Sequence, residues 1–557
     1  MADIVTQQTC RWRPSHGEGC GRQAHGQREY CIFHLPEKKE HEIEEFAKAL
    51  REEIESQRRR DPNKLDFEGF HFPCQIDLRD MLAAKHLFPP TIEQDLWFPG
   101  CTFEQGLVAH EVQFLGHVLF GDALFRKGVS FIACTFRGIA DFCHATFEGD
   151  AWFSSARFRE ASFTFAVFRS CAMFPDAEFL GDAYFPSVTF EDDSFFSGST
   201  FKRDALFHGA HFRKDVSFDP TTFEGNAVFD PTEFCGTADF TGSTFLKDLE
   251  MRPWPQQQAG AKVFLSFTRF AQRVILDLSE FLEPKSTAST LLVLRECMFG
   301  GDARMTFQGS MGCVSLLHTD LSKAVFVNEC WLPRVDLAGS VRSKKRNAVL
   351  EEYALERMAN GETDVPESLG YADVGGIAQL YRRLRDNYEV NKRYAEAGDF
   401  FIGEMEILRQ YRTAHTREDK TTSQTPGQTV EKRPLSDPYR VLLLEPYRFL
   451  AVYGESIKRP AVFALLIVLA FTLVRPPLPS MLLSALPFPQ SPVVAADANL
   501  PTNATAIINA TWNAFQESVF AFFQLRAEET IDLFERLLSI PILGLLFIAI
   551  RRKLERR

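Results

Sequence analysis

Residues 147–174 read FEGDAWFSSARFREASFTFAVFRSCAMF, with a phenylalanine at every fifth or sixth position and usually a small residue two places before it. The ladder extends both ways: 25 phenylalanines from Phe114 to Phe245 stand five or six residues apart, with consecutive fives between Phe153 and Phe168. Ala123, Ala140, Ala151, Ala161, Ala172, Ala183, Ser199, Ala205, Ala227 and Ala238 fill the position two before a ring. A helix turning about 100° per residue would scatter such steps over two stripes. An 11-residue repeat suits a right-handed supercoil, but the segment is dense in Gly, Ser, Thr, Val and Phe and poor in helix formers. A flat strand fails as well, because odd steps send successive rings to opposite faces.

A chain that turns a corner after each short strand satisfies the spacing. Four sides of five, six, five and six residues make a coil of about 22, and such coils stack at the strand spacing of about 4.8 Å. Each side puts one ring and one small residue inside. Gly121-Asp122, Gly149-Asp150, Gly181-Asp182, Lys214-Asp215 and Gly225-Asn226 supply turn chemistry at the corners. With its central Phe at i and small residue at i-2, the pattern resembles the pentapeptide-repeat family, as in FLGDAYFPSVTF at 179–190. That resemblance implies a mainly β fold, a right-handed quadrilateral β-helix. A leucine version follows: Leu316, Leu321, Phe326, Trp331 and Leu337, with Val314, Thr319, Ala324 and Val335 at i-2 and Glu329 as the departure. One β-helix over residues 95–340, interrupted near 250–290, is the expectation.

The sequence has 12 cysteines in 557 residues, too sparse for a disulfide framework, and its opening stretch lacks an apolar leader core, which predicts a cytosolic body. Three cysteines stand apart. Cys10, Cys20, Cys31 and His34 are spaced C-x9-C-x10-C-x2-H, a donor set suited to tetrahedral zinc in a closed structural site, with His16 and His25 as substitute ligands. The spacing resembles the Cys3His module of the WRC domain, so residues 1–36 are expected to form a zinc module. Ile43, Phe46, Leu50 and Ile54 then mark one helical stripe within a cap or linker at 37–94.

Beyond the ladder, Ile377, Leu380, Tyr381, Leu384 and Tyr388 form one helical stripe, and Tyr394, Ala397, Phe401, Met405 and Leu408 another. Residues 341–412 are expected to be a helical connector, similar to the hairpin that follows the repeats in membrane-associated pentapeptide-repeat proteins. Asp399, Glu404 and Glu406 are expected on its solvated face rather than in catalysis. Residues 413–440 read as a flexible linker. Apolar runs at 461–474 and 537–550 are flanked by Lys458 and Arg459 and by RRKLERR, a positive-inside pattern that predicts a transmembrane helical hairpin with spans near 459–476 and 533–551. With a re-entrant or amphipathic helix near 510–525, the 441–557 module resembles the two-span pore module of ion channels, although QLRAEET stands where a filter would be.

The net charge of -12 and the lack of long basic runs argue against nucleic-acid binding as the task. No nucleophile–base set, phosphate loop or dinucleotide fingerprint appears, so no enzyme and no small-molecule substrate are expected. The expected function is a scaffold anchored in the cytoplasmic membrane, both termini cytosolic, with a protein partner on the β-helix face and the lipid bilayer as second partner. Two alternatives stay open: a channel-like pore gated by the β-helix, which would require a homo-oligomer, and a DNA mimic, compatible with 18 Asp and Glu against 10 Lys and Arg over 114–245.

Overall fold

The computed structural model describes residues 9–14, 19–26, 28–83, 89–253, 261–279, 291–335, 345–360, 373–415, 428–432, 437, 445–451, 453, 456–474, 504–523 and 530–555. They fall into two units, one holding residues 1–332, 349–354 and 366–371, the other 333–348, 355–365 and 372–557.

The first unit is a β-solenoid. Short parallel strands stack in four ladders, one for each side of the coil. Face 1 runs from His71-Phe72 through Leu124-Phe125 to Glu233-Phe234. Face 2 holds eleven strands from Ile76-Asp77 to Val314-Ser315. Face 3 pairs Phe114, Phe136, Phe158 and Phe179 in line and ends at Phe299. Face 4 starts at Lys64–Asp66 and passes through Ala140, Ala161, Ala183 and Ala205 to Ala324–Cys330. The coils therefore begin at Lys64, ahead of the expected 95. The described residues of 250–290 stay in the stack: Ala238 pairs with Val263, and Val263 with Leu292, at steps longer than the usual 22 residues; residues 254–260 and 280–290 lie outside the described residues. Leu316, Leu321, Phe326 and Trp331 of the leucine block are buried, and Leu337 lies outside the described residues.

Rings fill the interior in four columns. Phe142 stacks on Phe163 at 5.0 Å and Phe147 on Phe168 at 4.5 Å, with planes within a few degrees. Neighbouring columns meet edge to face, as Phe163 does with Phe174 at 5.4 Å and 87°. Both arrangements are favoured by the ring quadrupole. The small residues two before each ring are buried, since a larger side chain there would have no room between coils. At one corner the buried small residue is polar and reaches back a coil: the hydroxyls of Ser199, Thr221, Ser243 and Thr319 donate to the carbonyls of Phe174, Phe196, Phe218 and Leu294 at 2.6–2.9 Å. At another corner an aspartate ladder does the same outside: Asp182 accepts from the Asp204 amide, and Asp204 from that of Asn226. Coils approach so closely here that a Cβ on Gly181 would lie 2.1 Å from the Arg159 oxygen. The run of fives is absorbed locally. Phe136 pairs with Phe158, yet Ile139 pairs with Glu160, so one residue is dropped between them without disturbing the ladder.

Side chains from helices close the open edges at both ends. Helix α1 (Glu40–Arg60) buries Phe46, Leu50 and Ile54, with Ile43 only half-buried. Its Gln57 pairs with the first strand as another strand would: Nε2 donates to the Asp66 oxygen at 2.7 Å and Oε1 accepts the Asp66 amide at 2.6 Å. The short helix α2 (Leu78–Leu82) follows the first strand of face 2. At the far end, Glu351 on helix α3 (Leu350–Ala359) is fully buried and its Oε1 accepts from the Ser315 hydroxyl and the Leu316 amide at 3.0 and 2.8 Å.

In the second unit, α4 (Val374–Val390) and α5 (Tyr394–Gln410) form an antiparallel pair. The α4 stripe is buried as expected, but α5 buries a different face: Ala397, Phe400, Phe401, Gly403, Glu404 and Glu406 go inside, while Tyr394, Met405 and Leu408 are half-buried. Of the carboxylates expected on the solvated face, Asp399 is half-buried, whereas Glu404 and Glu406 are interior because each is matched by guanidinium groups. Glu404 takes Arg382 and Arg385, and Glu406 takes Arg409, Arg448 and the Tyr453 hydroxyl. The expected linker contains an antiparallel strand pair, Tyr411–His415 with Gln428–Lys432, whose Thr413, Thr429 and Val430 favour extended backbone. Helices α6 (Glu445–Ala451), α7 (Lys458–Val474), α8 (Ala504–Phe522) and α9 (Thr530–Glu555) follow. The two-span hairpin is not met: among the described residues no helix is long and apolar enough to cross a membrane. The 17 residues of α7 rise about 26 Å against a hydrocarbon core of about 30 Å.

Phe163 is fully enclosed by rings from its own and adjacent columns. Phe163→Ala is expected to destabilise the solenoid by about 3–5 kcal/mol, read as a lower urea midpoint. Burial raises the Glu351 pKa above that of a free carboxyl. As pH rises past about 4.5, unfolded chains release this proton while folded ones hold it, so its contribution is present below that pH and lost above it. Glu351→Gln, which cannot ionise, is therefore expected to gain on the parent between pH 4 and 7 in denaturation measurements; parallel pH profiles would refute this.

Candidate metal centre

The N-terminal segment folds back on itself before meeting the solenoid. Thr9 and Gln23 form an antiparallel bridge, the Cys10 amide donates to the Arg22 oxygen at 2.8 Å and the Cys20 amide to the Trp12 oxygen at 3.2 Å. This brings Cys10 and Cys20 onto one short hairpin. A tight turn, closed by the His34 amide on the Cys31 oxygen at 3.1 Å, delivers the other two. The donor atoms of Cys10, Cys20, Cys31 and His34 all lie within 4.8 Å of one another.

The spacings suit a tetrahedral ion. Cys20 and Cys31 sulfurs are 3.8 Å apart, and His34 Nδ1 is 3.6 and 3.2 Å from the sulfurs of Cys10 and Cys31. Zn–S bonds of about 2.3 Å at the tetrahedral angle give S···S edges of about 3.8 Å and S···N edges of about 3.5 Å. With Nδ1 turned to the cluster, the other ring nitrogen is free to donate to the Glu68 oxygen, 3.2 Å away, which sets tautomer and orientation. The Cys31 amide donates to the Cys10 sulfur at 3.2 Å, and Arg22 reaches the Cys20 sulfur at 3.5 Å. Three thiolates with a dication would leave one negative charge, which the guanidinium would offset. Hydrogen bonding from Cys31 draws the Cys20 pKa down to about 3 and raises that of Cys31. The four residues could hold a metal ion, and zinc is compatible with them.

His25 faces Glu42 and Glu45 at 3.7 and 3.5 Å instead of the cluster, and His16 lies outside the described residues. Sequence reasoning missed the supporting groups. Trp12 stacks on His34 at 4.1 Å, and a Cβ on Gly69 (φ +67°) would lie 2.1 Å from the indole. Arg22 also pairs with Glu53 and covers the Phe33 and Phe70 rings. Both Trp12 and Arg22 stand two residues after a ligand cysteine, the one signal that could have marked them. Phe33 in turn stacks on Phe70 at 4.5 Å, so the ligand turn is seated on the first coil. Cys20 is the ligand on the open side, beside a pocket of about 370 Å³ lined by Trp12, Arg22, Glu53 and Lys64.

Purified chain is expected to carry about one equivalent of a thiophilic metal ion by elemental analysis, and Cys31→Ser to lose it. Chelation is expected to speed amide exchange in the first coils more than at the Phe142–Phe163 rungs; equal exchange throughout would show that the centre does not support the solenoid.

Residues 109–157, 174–222 and 207–253 match the family model described as pentapeptide repeats (9 copies). No curated protein matches the chain, and no solved structure does. The four-sided coils, their stacked rings and the matched repeats all describe the same segment, so residues 109–157 and 174–253 are pentapeptide repeats.

Proposed function

We propose that the chain is a scaffold of the cytoplasmic membrane: its solenoid binds a protein partner, a zinc ion at Cys10, Cys20, Cys31 and His34 secures the first coil, and its C-terminal helices rest in lipid with both termini cytosolic. The observation that carries the membrane reading is the surface of α7, α8 and α9. Their shared interior is small, built on Val468, Phe522 and Ile542. Val462, Ile508 and Phe547 are 54, 65 and 67% exposed, and Leu465, Leu466, Leu469, Leu473 and Trp512 are exposed with them. Helices that are apolar all round need an apolar surrounding. At about 0.8 kcal/mol per buried CH2, a few such residues suffice for firm attachment without a crossing. The tryptophan and the basic residues beyond Ile550 suit the headgroup layer.

The alternatives draw less support. A pore would depend on residues 524–529, which lie outside the described residues. A DNA mimic needs a continuous acidic rail, whereas many solenoid carboxylates meet a cation on a neighbouring coil, as in Arg126–Glu104, Arg157–Glu178, Lys202–Glu224 and Arg273–Asp248. No catalysis is assigned.

Vesicle flotation tests the anchoring. The full chain is expected to float with phosphatidylglycerol-containing vesicles, and replacing Val462, Leu466, Leu469 and Leu473 by glutamine to leave most of it at the bottom of the gradient. A parent chain that stays soluble without detergent and does not float would end the reading.

A further inference from the structure

The outward column of face 2 carries both polar and apolar side chains, with Asp77, Ser130, Ser217 and Asp239 beside Val108, Phe264 and Val293. Three successive coils bring large apolar side chains together. Trp152, Met173 and Phe195 lie in register, each paired with the next, and follow the buried Ala151, Ala172 and Ser194. Trp152 is 38% exposed and the other two are half-buried. Ser130 precedes the trio in the same column and Ser217 follows it, so the apolar strip is bounded at both ends.

Carboxylates line both margins. On one side stand Asp150, Asp193 and Asp215: Asp150 accepts from the Ser170 hydroxyl, Asp193 from the Asp215 amide and Asp215 from the Thr237 amide. On the other stand the exposed Asp176 and Asp219, the latter raised in pKa by burial and by Asp239 beside it. Lys214 pairs with Asp192. Among the described residues no lysine or arginine pairs with the other five, in contrast to the cross-coil ion pairs elsewhere on the solenoid.

The occupant follows from spacing and charge. Coils repeat every 4.8 Å or so, and residues at i, i+3 or i+4, and i+7 of a helix rise about 5 Å per step, so one apolar stripe matches three coils when the helix lies along the solenoid axis. Basic side chains flanking that stripe would meet the two acidic margins, and one could lie over the Trp152 ring. We propose that face 2 between Trp152 and Phe195 docks a cationic amphipathic helix of a partner protein. This rests on the reading of the solenoid as a binding scaffold and names the face and the chemistry.

The test uses the full chain and a fluorescein-labelled 14-residue helical peptide of leucine and lysine, followed by anisotropy, beside the same peptide with glutamate for lysine. The lysine peptide is expected to bind and the glutamate one not. Trp152→Ser with Phe195→Ser should weaken binding about tenfold or more, as loss of an aromatic anchor does. Asp150→Asn, Asp193→Asn and Asp215→Asn together should weaken it and flatten its salt dependence. Tyr184→Ser with Leu206→Ser, which alters the outward column of face 4, should bind like the parent. An unchanged circular dichroism melt shows that each variant is folded. Equal binding of the two peptides would overturn the chemistry assigned to the occupant. Binding lost in the face 4 variant and kept in the face 2 variant would overturn the face and leave the scaffold reading standing.

Discussion

Ring-on-ring stacking at the pitch of a β-ladder is the interaction on which the solenoid depends. Hydrogen-bonded strands fix the rise per coil near 4.8 Å, and aromatic rings stack face to face with an offset at nearly the same distance. Phe174 over Phe196 at 4.8 Å and Phe201 over Phe223 at 5.0 Å satisfy both at once. Leucine also fits the pitch, as Leu265, Leu294 and Leu316 show in the later coils, but only a flat ring adds face-to-face stacking to the filled volume. The small residues two positions earlier are the complement of this choice, and so are the buried hydroxyls that take up carbonyls of the preceding coil.

A one-dimensional stack has two ends, and each exposes backbone groups that another strand could claim. Here side chains from flanking helices meet backbone groups at both ends. Gln57 offers an amide, which both gives and accepts, to a strand that needs both; Glu351 offers an acceptor where a hydroxyl and an amide both donate. The candidate metal centre belongs to the same end as Gln57, since the Cys31–His34 turn rests on Phe70 and His34 is oriented by the Glu68 carbonyl. Shape, closure and metal chemistry at that end are one packing problem.

The coil was legible because its period is unlike that of any other regular structure, and the ligand set because C-x2-H closes a turn. The start at Lys64 was not, since Phe72 and Phe103 are 31 residues apart and α2 lies in the enlarged coil between them. The face of α5 was misread for a physical reason: Glu404 and Glu406 look solvated in a one-dimensional pattern, and only the three-dimensional placement of Arg382, Arg385, Arg409 and Arg448 makes their burial tolerable. Likewise the support from Trp12 depends on Gly69, which is remote in sequence.

The described strands of face 1 stop at Phe234, while faces 2, 3 and 4 carry on to Ser315, Phe299 and Cys330. In the later coils the chain between face 4 and face 2 is longer, with the steps from Ala238 to Val263 and from Val263 to Leu292 replacing the usual 22 residues or so. Faces 2, 3 and 4 keep their pairing across both steps, so the pitch is held whatever the added length. Such an architecture can acquire new loops at a single corner, coil by coil, without the rest of the tower having to be redesigned around them.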